Sequence, residues 1–332
     1  MQIKTKPVKL KAEGSYCLSV LDKEGCVIPE KSRGKTNNVV TYQGASTLFF
    51  RDASGLDMFG DIVVVVGTGT TELTRASINL GNQTEVTSQD FIYSRSGEVD
   101  NLDGTSTLPI EVVIPFALGA VVGTISEVGL AFQYNNKLIA GQLIKDEFGA
   151  PTTLTILADE QLVVTYTIEL TIPIAPVSVA PLVGSGTVTT PAGSSDYDMY
   201  SQPFFGSYAV GSTIESVRSY LTSGRVSLSI ADGSPFFSKA SGSFSKVDDG
   251  LGTVTLTYDN ISFSPGDGNL EDIKFIGVNA GNALSNNELN PTTKTSRDTV
   301  NNSTNLVIEF TPAITKTDQE SLVFTVVSEY LI

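Results

Sequence analysis

The sequence predicts an all-β protein with one short helix, arranged as two tandem β-sandwich-like domains, and three observations carry that prediction. Charged residues make up 17% of the 332-residue chain, below the roughly 25% of an average globular domain. Gly, Ser, Thr and Asn crowd between short Val/Ile/Leu runs, the composition of strands joined by tight turns. The runs recur about every ten to fifteen residues, a spacing that fits a sandwich or barrel and not a helical bundle. At about 100 to 200 residues per domain, the length predicts two domains.

Residues 1–35 hold eight Lys/Arg and four Asp/Glu, a charge of +4 against −19 for the other 297 residues. This segment is expected to be a basic assembly arm, with Lys4, Lys6, Lys9 and Lys11 in near alternation. An arm of opposite sign to the body can dock on an acidic neighbouring subunit. Within it, Tyr16–Leu21 and Cys26–Ile28 flank Asp22-Lys23-Glu24-Gly25, a hairpin pattern because Gly tolerates the positive φ of such turns. In that register Leu21 faces Cys26, and Cys17 lies near Glu30, too far along the ladder for a disulfide. Free thiols are expected, with a bridge or a metal site as the alternatives.

A first β-domain is expected over residues 36–172. Thr41 can cap a helix near 41–52, where Ala45, Leu48, Phe49 and Phe50 recur near the helical period. Ile62-Val63-Val64-Val65-Val66 is apolar at every residue, as in a strand buried on both faces, and leads into Gly67-Thr68-Gly69-Thr70. Further strands are expected at 108–116, 123–133, 137–145, 152–157 and 161–172. Pro173, Pro176 and Pro181 stiffen a linker over 173–182, and a second β-domain is expected over 183–332.

The halves echo one another, which predicts an internal duplication. Glu160-Gln-Leu-Val-Val-Thr165 with Glu169 matches Glu320-Ser-Leu-Val-Phe-Thr325 with Glu329 at an offset of 160. Val66–Thr70 resembles Val183–Thr187, and Ile125–Leu130 resembles Leu270–Phe275. The rival reading is two unrelated β-domains.

Several function classes are excluded by composition. The formal charge is −15, with 36 acidic and 21 basic residues and no histidine. An acidic surface repels a phosphate backbone, so nucleic-acid binding is not expected. Without histidine the commonest general base, the usual zinc ligand and the imidazole triads are all missing. Paired carboxylates remain as a hydrolytic option, but Asp196-Tyr197-Asp198 has no partner motif. No catalytic residue, metal site or cofactor is expected. Gly67-Thr68-Gly69-Thr70 lacks the following helix and Gly-Lys-Ser/Thr ending of a phosphate loop and reads as a turn. Asp267–Asp272 has oxygen ligands at positions one, three and five of a calcium loop, yet Asp272 stands where Gly is needed and Val278 where the last ligand belongs. A hairpin tip is expected there. No signal-peptide core and no stretch of 18 apolar residues is present, so neither export nor membrane insertion is expected.

Two segments read as recognition surfaces. Tyr197, Tyr200, Phe204, Phe205 and Tyr208 stand among Ser, Gly and Pro, where aromatic faces suit either a seam between domains or subunits or a receptor contact. Residues 282–305 carry seven Asn in 24 residues and read as a long exposed loop or assembly arm.

A family resemblance joins these readings. The order Asn38-Val-Val-Thr-Tyr-Gln-Gly44, Val66–Thr70, Ile125–Leu130, Leu138-Ile-Ala-Gly-Gln-Leu-Ile144 and Leu154–Leu170 resembles structural tail proteins of tailed bacteriophages, in particular tail-fibre or baseplate subunits. The resemblance covers roughly residues 10–172; the second half departs from it. It implies a virion protein made in the host cytoplasm, linking other virion tail proteins, forming a homo-oligomer and contacting a host surface glycan or protein receptor. The alternatives are a carbohydrate-binding receptor module and, further off, a polysaccharide hydrolase.

Overall fold

The computed structural model describes residues 2–4, 7–49, 62–87, 92–95, 99–103, 105–133, 137–173, 182–190, 193–201, 225–229, 237–240, 243–263, 270–279, 306–316, 319 and 321–332. The chain is mostly β, with one α-helix among the described residues. Before the first half come β1 (Gln2–Lys4) and β2 (Val8–Lys9). The first half holds β3 (Lys11–Leu21), β4 (Arg33–Val40), α1 (Tyr42–Phe49), β5 (Ile62–Gly67), β6 (Gln83–Val86), β7 (Ile92–Arg95) and β8 (Val99–Asp100). It continues with β9 (Thr105–Pro115), β10 (Gly123–Ile125), β11 (Glu127–Phe132), β12 (Leu138–Leu143), β13 (Leu154–Ile156) and β14 (Gln161–Pro173). The second half holds β15 (Leu182–Thr190), β16 (Gly193–Ser201), β17 (Arg225–Ser229), β18 (Phe237–Ala240) and β19 (Ser243–Asp248). It ends with β20 (Thr253–Phe263), β21 (Leu270–Asn279), β22 (Leu306–Lys316) and β23 (Leu322–Leu331).

One large curled antiparallel sheet builds the first half, in the order β6-β5-β11-β12-β4-β3-β14-β9-β7, with β8 also on β9. Period-two alternation aims one face of its long strands into the core. Leu162, Val164, Tyr166, Ile168 and Leu170 of β14 are buried beside Leu108, Ile110, Val112 and Ile114 of β9. β5 is buried throughout, as its unbroken apolar run predicts, and the reason is visible. Val64 and Val66 join the main core, while Val63 and Val65 pack with Leu73 and Leu80 of the following loop. The helix also forms as expected: Thr41 Oγ1 accepts the Gly44 amide at 2.9 Å and donates to the Leu138 carbonyl at 2.7 Å. Residues 50–52 of the expected helix lie outside the described residues.

The second half divides into the path β15-β16-β22-β21-β17-β18 and the path β23-β20-β19. Taken in chain order against β3, β4, β5, β6, β7, β9, β11, β12 and β14, its nine strands follow the same succession of neighbours. One relation differs: β3 pairs with β14, but among the described residues β15 does not pair with β23. Leu162 is the second residue of β14 and Leu322 the first of β23; the Leu162 carbonyl accepts the amide of Phe116, just beyond β9, and Leu322 stands opposite Phe263 of β20. Of the second echo, Glu127–Leu130 lie on β11 and Leu270–Phe275 on its counterpart β21, while Ile125 ends β10. The echo between Val66–Thr70 and Val183–Thr187 does not fall on matching strands, because β5 lies between β6 and β11 whereas β15 lies beside β16; that match is strand composition alone.

The basic segment expected to stand off as an arm is instead woven into both halves. β3 is an interior strand, flanked by β4 and β14, with Tyr16, Leu18 and Val20 buried. Alternating apolar residues set the strand's place, because its one lysine, Lys11, opens the strand at an exposed position. The expected hairpin is also short of a full ladder. Leu21 bridges Val27, Asp22 Oδ1 caps the turn by accepting the Glu24 and Cys26 amides, and β3's long partner in that direction is β4. Cys17 and Cys26 are free thiols. The linker expected at 173–182 lies between the last residue of β14 and the first of β15, and its interior is outside the described residues.

Candidate functional site

The N-terminal residues and the last strand meet where the two halves adjoin, and Lys4, Lys9 and Lys11 of the expected basic residues lie along this seam. β1 lies parallel on β23, with Gln2 opposite Thr325, Ile3 opposite Val326 and Lys4 opposite Val327. β2 continues with Val8 opposite Tyr330 and Lys9 opposite Leu331. The offset changes by one residue in between, where Pro7 has no N–H to give to the ladder. Leu10 is buried and its amide donates to the Leu331 carbonyl at 2.7 Å.

Next to this ladder run two adjoining grooves of about 490 and 670 Å³. Both are lined by Lys11, Glu13, Arg75 and Glu169; Lys35 joins the first and Lys9 the second. Arg75 is fixed by lying over the Tyr42 ring, 4.5 Å from its centroid, and by its carbonyl accepting the Tyr42 amide at 2.7 Å. Such mixed charge suits a polar chain segment better than a lone anion, because Glu13 and Glu169 stand among the cations. Much of the basic charge is already paired within the chain. Lys4 lies 3.8 Å from the half-buried Glu329 and Lys11 2.8 Å from Glu13, with both lysines exposed to solvent that screens such pairs. Lys31 is better held, with its ammonium 2.6 and 2.7 Å from the two Glu160 oxygens. Desolvation of the Glu160 carboxylate acts to raise its pKa, but the Lys31 bond, the Leu157 amide and the Lys31 charge outweigh it and hold the group below its ordinary range.

The Gly67-Thr68-Gly69-Thr70 loop does bind an anion, and the anion is the chain's own. Glu127 is fully buried and its carboxylate accepts the amides of Gly69 at 2.8 Å, Gly81 at 2.9 Å and Asn82 at 2.7 Å. A Cβ on Gly67 or Gly69 would stand 2.5 Å from that carboxylate, so the glycines are set by its closeness. The anchored loop then covers the outer face of β5. Sequence reasoning missed this role for Glu127; its signal was a lone acid inside the apolar run of residues 125–132.

Of the other expected contact residues, Tyr197 and Tyr200 lie on β16. Tyr197 is buried on β16 and meets Phe310 edge-on with ring centroids 6.5 Å apart, so it fills a core and is no exposed contact. A Cβ on its register partner Gly186 would meet the Tyr197 ring at 2.7 Å, which is why glycine stands there. Tyr200 lies on β16 opposite Leu182. Phe204, Phe205 and Tyr208 fall outside the described residues, as do Lys6 and residues 282–305. Asp196 is exposed and accepts the Thr187 hydroxyl at 2.7 Å.

Chemically, the described residues offer binding geometry. Burial pushes the Tyr16 phenol up to about 12 while its hydroxyl donates to the Leu143 carbonyl at 3.0 Å. Burial likewise raises Tyr166 far above its ordinary range and raises the Cys17 thiol, keeping all three protonated at neutral pH. Among the described residues no three His, Cys, Asp or Glu side chains gather as a metal site, and no helix is long and apolar enough to cross a membrane. No protein-family model, curated protein or solved structure matches the chain.

Proposed function

We propose that the chain is a structural subunit of a bacteriophage tail, a fibre, tail-tip or baseplate component, built by internal duplication of one β-domain. The observation that carries the reading is the repeated succession of strands. A chain that presents one sheet plan twice has two similar bodies with which to hold two neighbours, and its partners are then other tail proteins and further copies of itself. The resemblance of residues 10–172 to tail proteins supplies the setting: assembly in the host cytoplasm and residence in the virion. The buried acid–amide anchor and the ring-filled core favour rigidity, as a load-transmitting subunit needs, and the polar grooves beside Arg75 suit docking of a neighbour's loop.

The test is location. An antibody against the chain should decorate one part of the tail in micrographs of intact particles, and purified particles lacking the chain altogether would sink the proposal. A non-enzymatic role is part of it. Cleavage of host polysaccharide by the purified chain, abolished by Asp196→Asn with Asp198→Asn, would overturn that part. Receptor contact is tested through Tyr200 and Tyr208, whose replacement by Ser weakens adsorption of assembled particles only if those rings meet the host.

A further inference from the structure

The two halves differ at one neighbour relation, and that relation marks a docking site. β3 lies on β14 through eleven consecutive antiparallel residue pairs, from Leu21–Gln161 to Lys11–Thr171. Its counterpart in the succession is β15, whose one strand neighbour among the described residues is β16. The flank of β23 that would match β3's place holds β1 and β2 instead, with three register pairs and then two, running parallel. The second half is therefore completed by a strand from the far end of the chain.

We propose that β1 and β2 of one copy fill this flank of β23 on a second copy, so that copies join head to tail by strand exchange. The ladder is identical whichever copy donates it, so exchange costs no hydrogen bonds. Gln2, Lys4, Pro7 and Lys9 are exposed, and the segment joins the core at the buried Leu10. The charge is complementary as well: Lys4 stands beside Glu329 of β23, and residues 1–35 carry +4 against −19 for the remainder. A head-to-tail contact closes into a ring or extends as a filament, depending on the rotation between copies. This inference is independent of the tail assignment.

The experiment uses the full chain with Cys17 and Cys26 replaced by Ser. One copy carries Gln2→Cys and the other Thr325→Cys, register partners on β1 and β23; the two are co-expressed and oxidised. A covalent heterodimer several-fold above a control pairing Gln2→Cys with Val247→Cys, an exposed position on β19, supports exchange. Yield no higher than the control overturns it. Light scattering gives a second reading without engineered thiols. The parent chain should show a multiple of 35.2 kDa, and removal of residues 2–7 should return it to a single chain. A parent of single-chain mass at high concentration, or an unchanged multiple after the removal, overturns the proposal.

Discussion

β14 and β23 begin from nearly the same residues and end in different surroundings. Each follows the Glu-x-Leu-Val-x-Thr pattern at its start and lies on a long strand of its own half, β9 or β20, although β14 alternates apolar and polar residues and β23 does not. β14 is closed on its other side by β3, an interior strand with eleven pairs. β23 receives two short parallel pieces there, and its ladder with β20 carries a bulge between Tyr258 and Ile261. The same strand pattern thus specifies which face is buried, but the neighbour on a given flank depends on which segment the chain can bring there.

The largest expected effect tests the closed side. Removing residues 1–35 deletes β3 from the interior of the sheet and should abolish folding, read as loss of the far-ultraviolet β signal, whereas removing residues 2–7 should leave that signal intact. A folded 36–332 chain would show that β14 closes without β3 and would erase the contrast. Next is Glu127→Ala, which strips the acceptor from the buried Gly69 amide and the part-buried Gly81 and Asn82 amides and should cost about 2–4 kcal/mol in urea denaturation. Glu127→Gln keeps one carbonyl oxygen and should cost less. Loss of the same size in both would show that the charge itself holds the loop.

The contrast is sharpened by a matched pair. Leu162 is 1% exposed and Leu322 6%, so Leu162→Ala should cost about 3–4 kcal/mol and Leu322→Ala about 2–3 kcal/mol. Equal midpoints for the two variants would mean that the borrowed strand seals the second half as well as β3 seals the first.

Acidification should act on the first half through Lys31 and Glu160. The folded-state pKa of Glu160 lies below its unfolded value, so at intermediate acidity the unfolded chain binds more protons. Its contribution is therefore full at neutral pH and is lost as pH falls through the ordinary carboxylate range toward the lower folded value. Lys31→Met should lower the neutral-pH midpoint and flatten this acid dependence; an unchanged slope would assign the acid sensitivity to other carboxylates. The smallest effect is expected at the open edge. Asp196→Asn weakens one exposed bond to Thr187 and should change stability by no more than about 0.5 kcal/mol.

The sequence alone determined the elements whose signal is local. Alternation marked β9 and β14, the unbroken Ile62–Val66 run marked β5, and Thr41 before an apolar period marked α1, because burial face and cap chemistry are written within a few residues. The matching of Leu162 with Leu322 was legible for the same reason. Charge misled: eight basic residues in the first 35 suggested a free arm, although the apolar residues at 16, 18 and 20 already alternated as an interior strand does. Only the tertiary structure decided that β3 enters the sheet between β4 and β14, that the glycine loop folds around Glu127 some 58 residues away in sequence, and that β1 crosses to β23. Each of these is a pairing between distant segments, and such a pairing depends on which edges and buried charges remain unsatisfied once the local elements have formed.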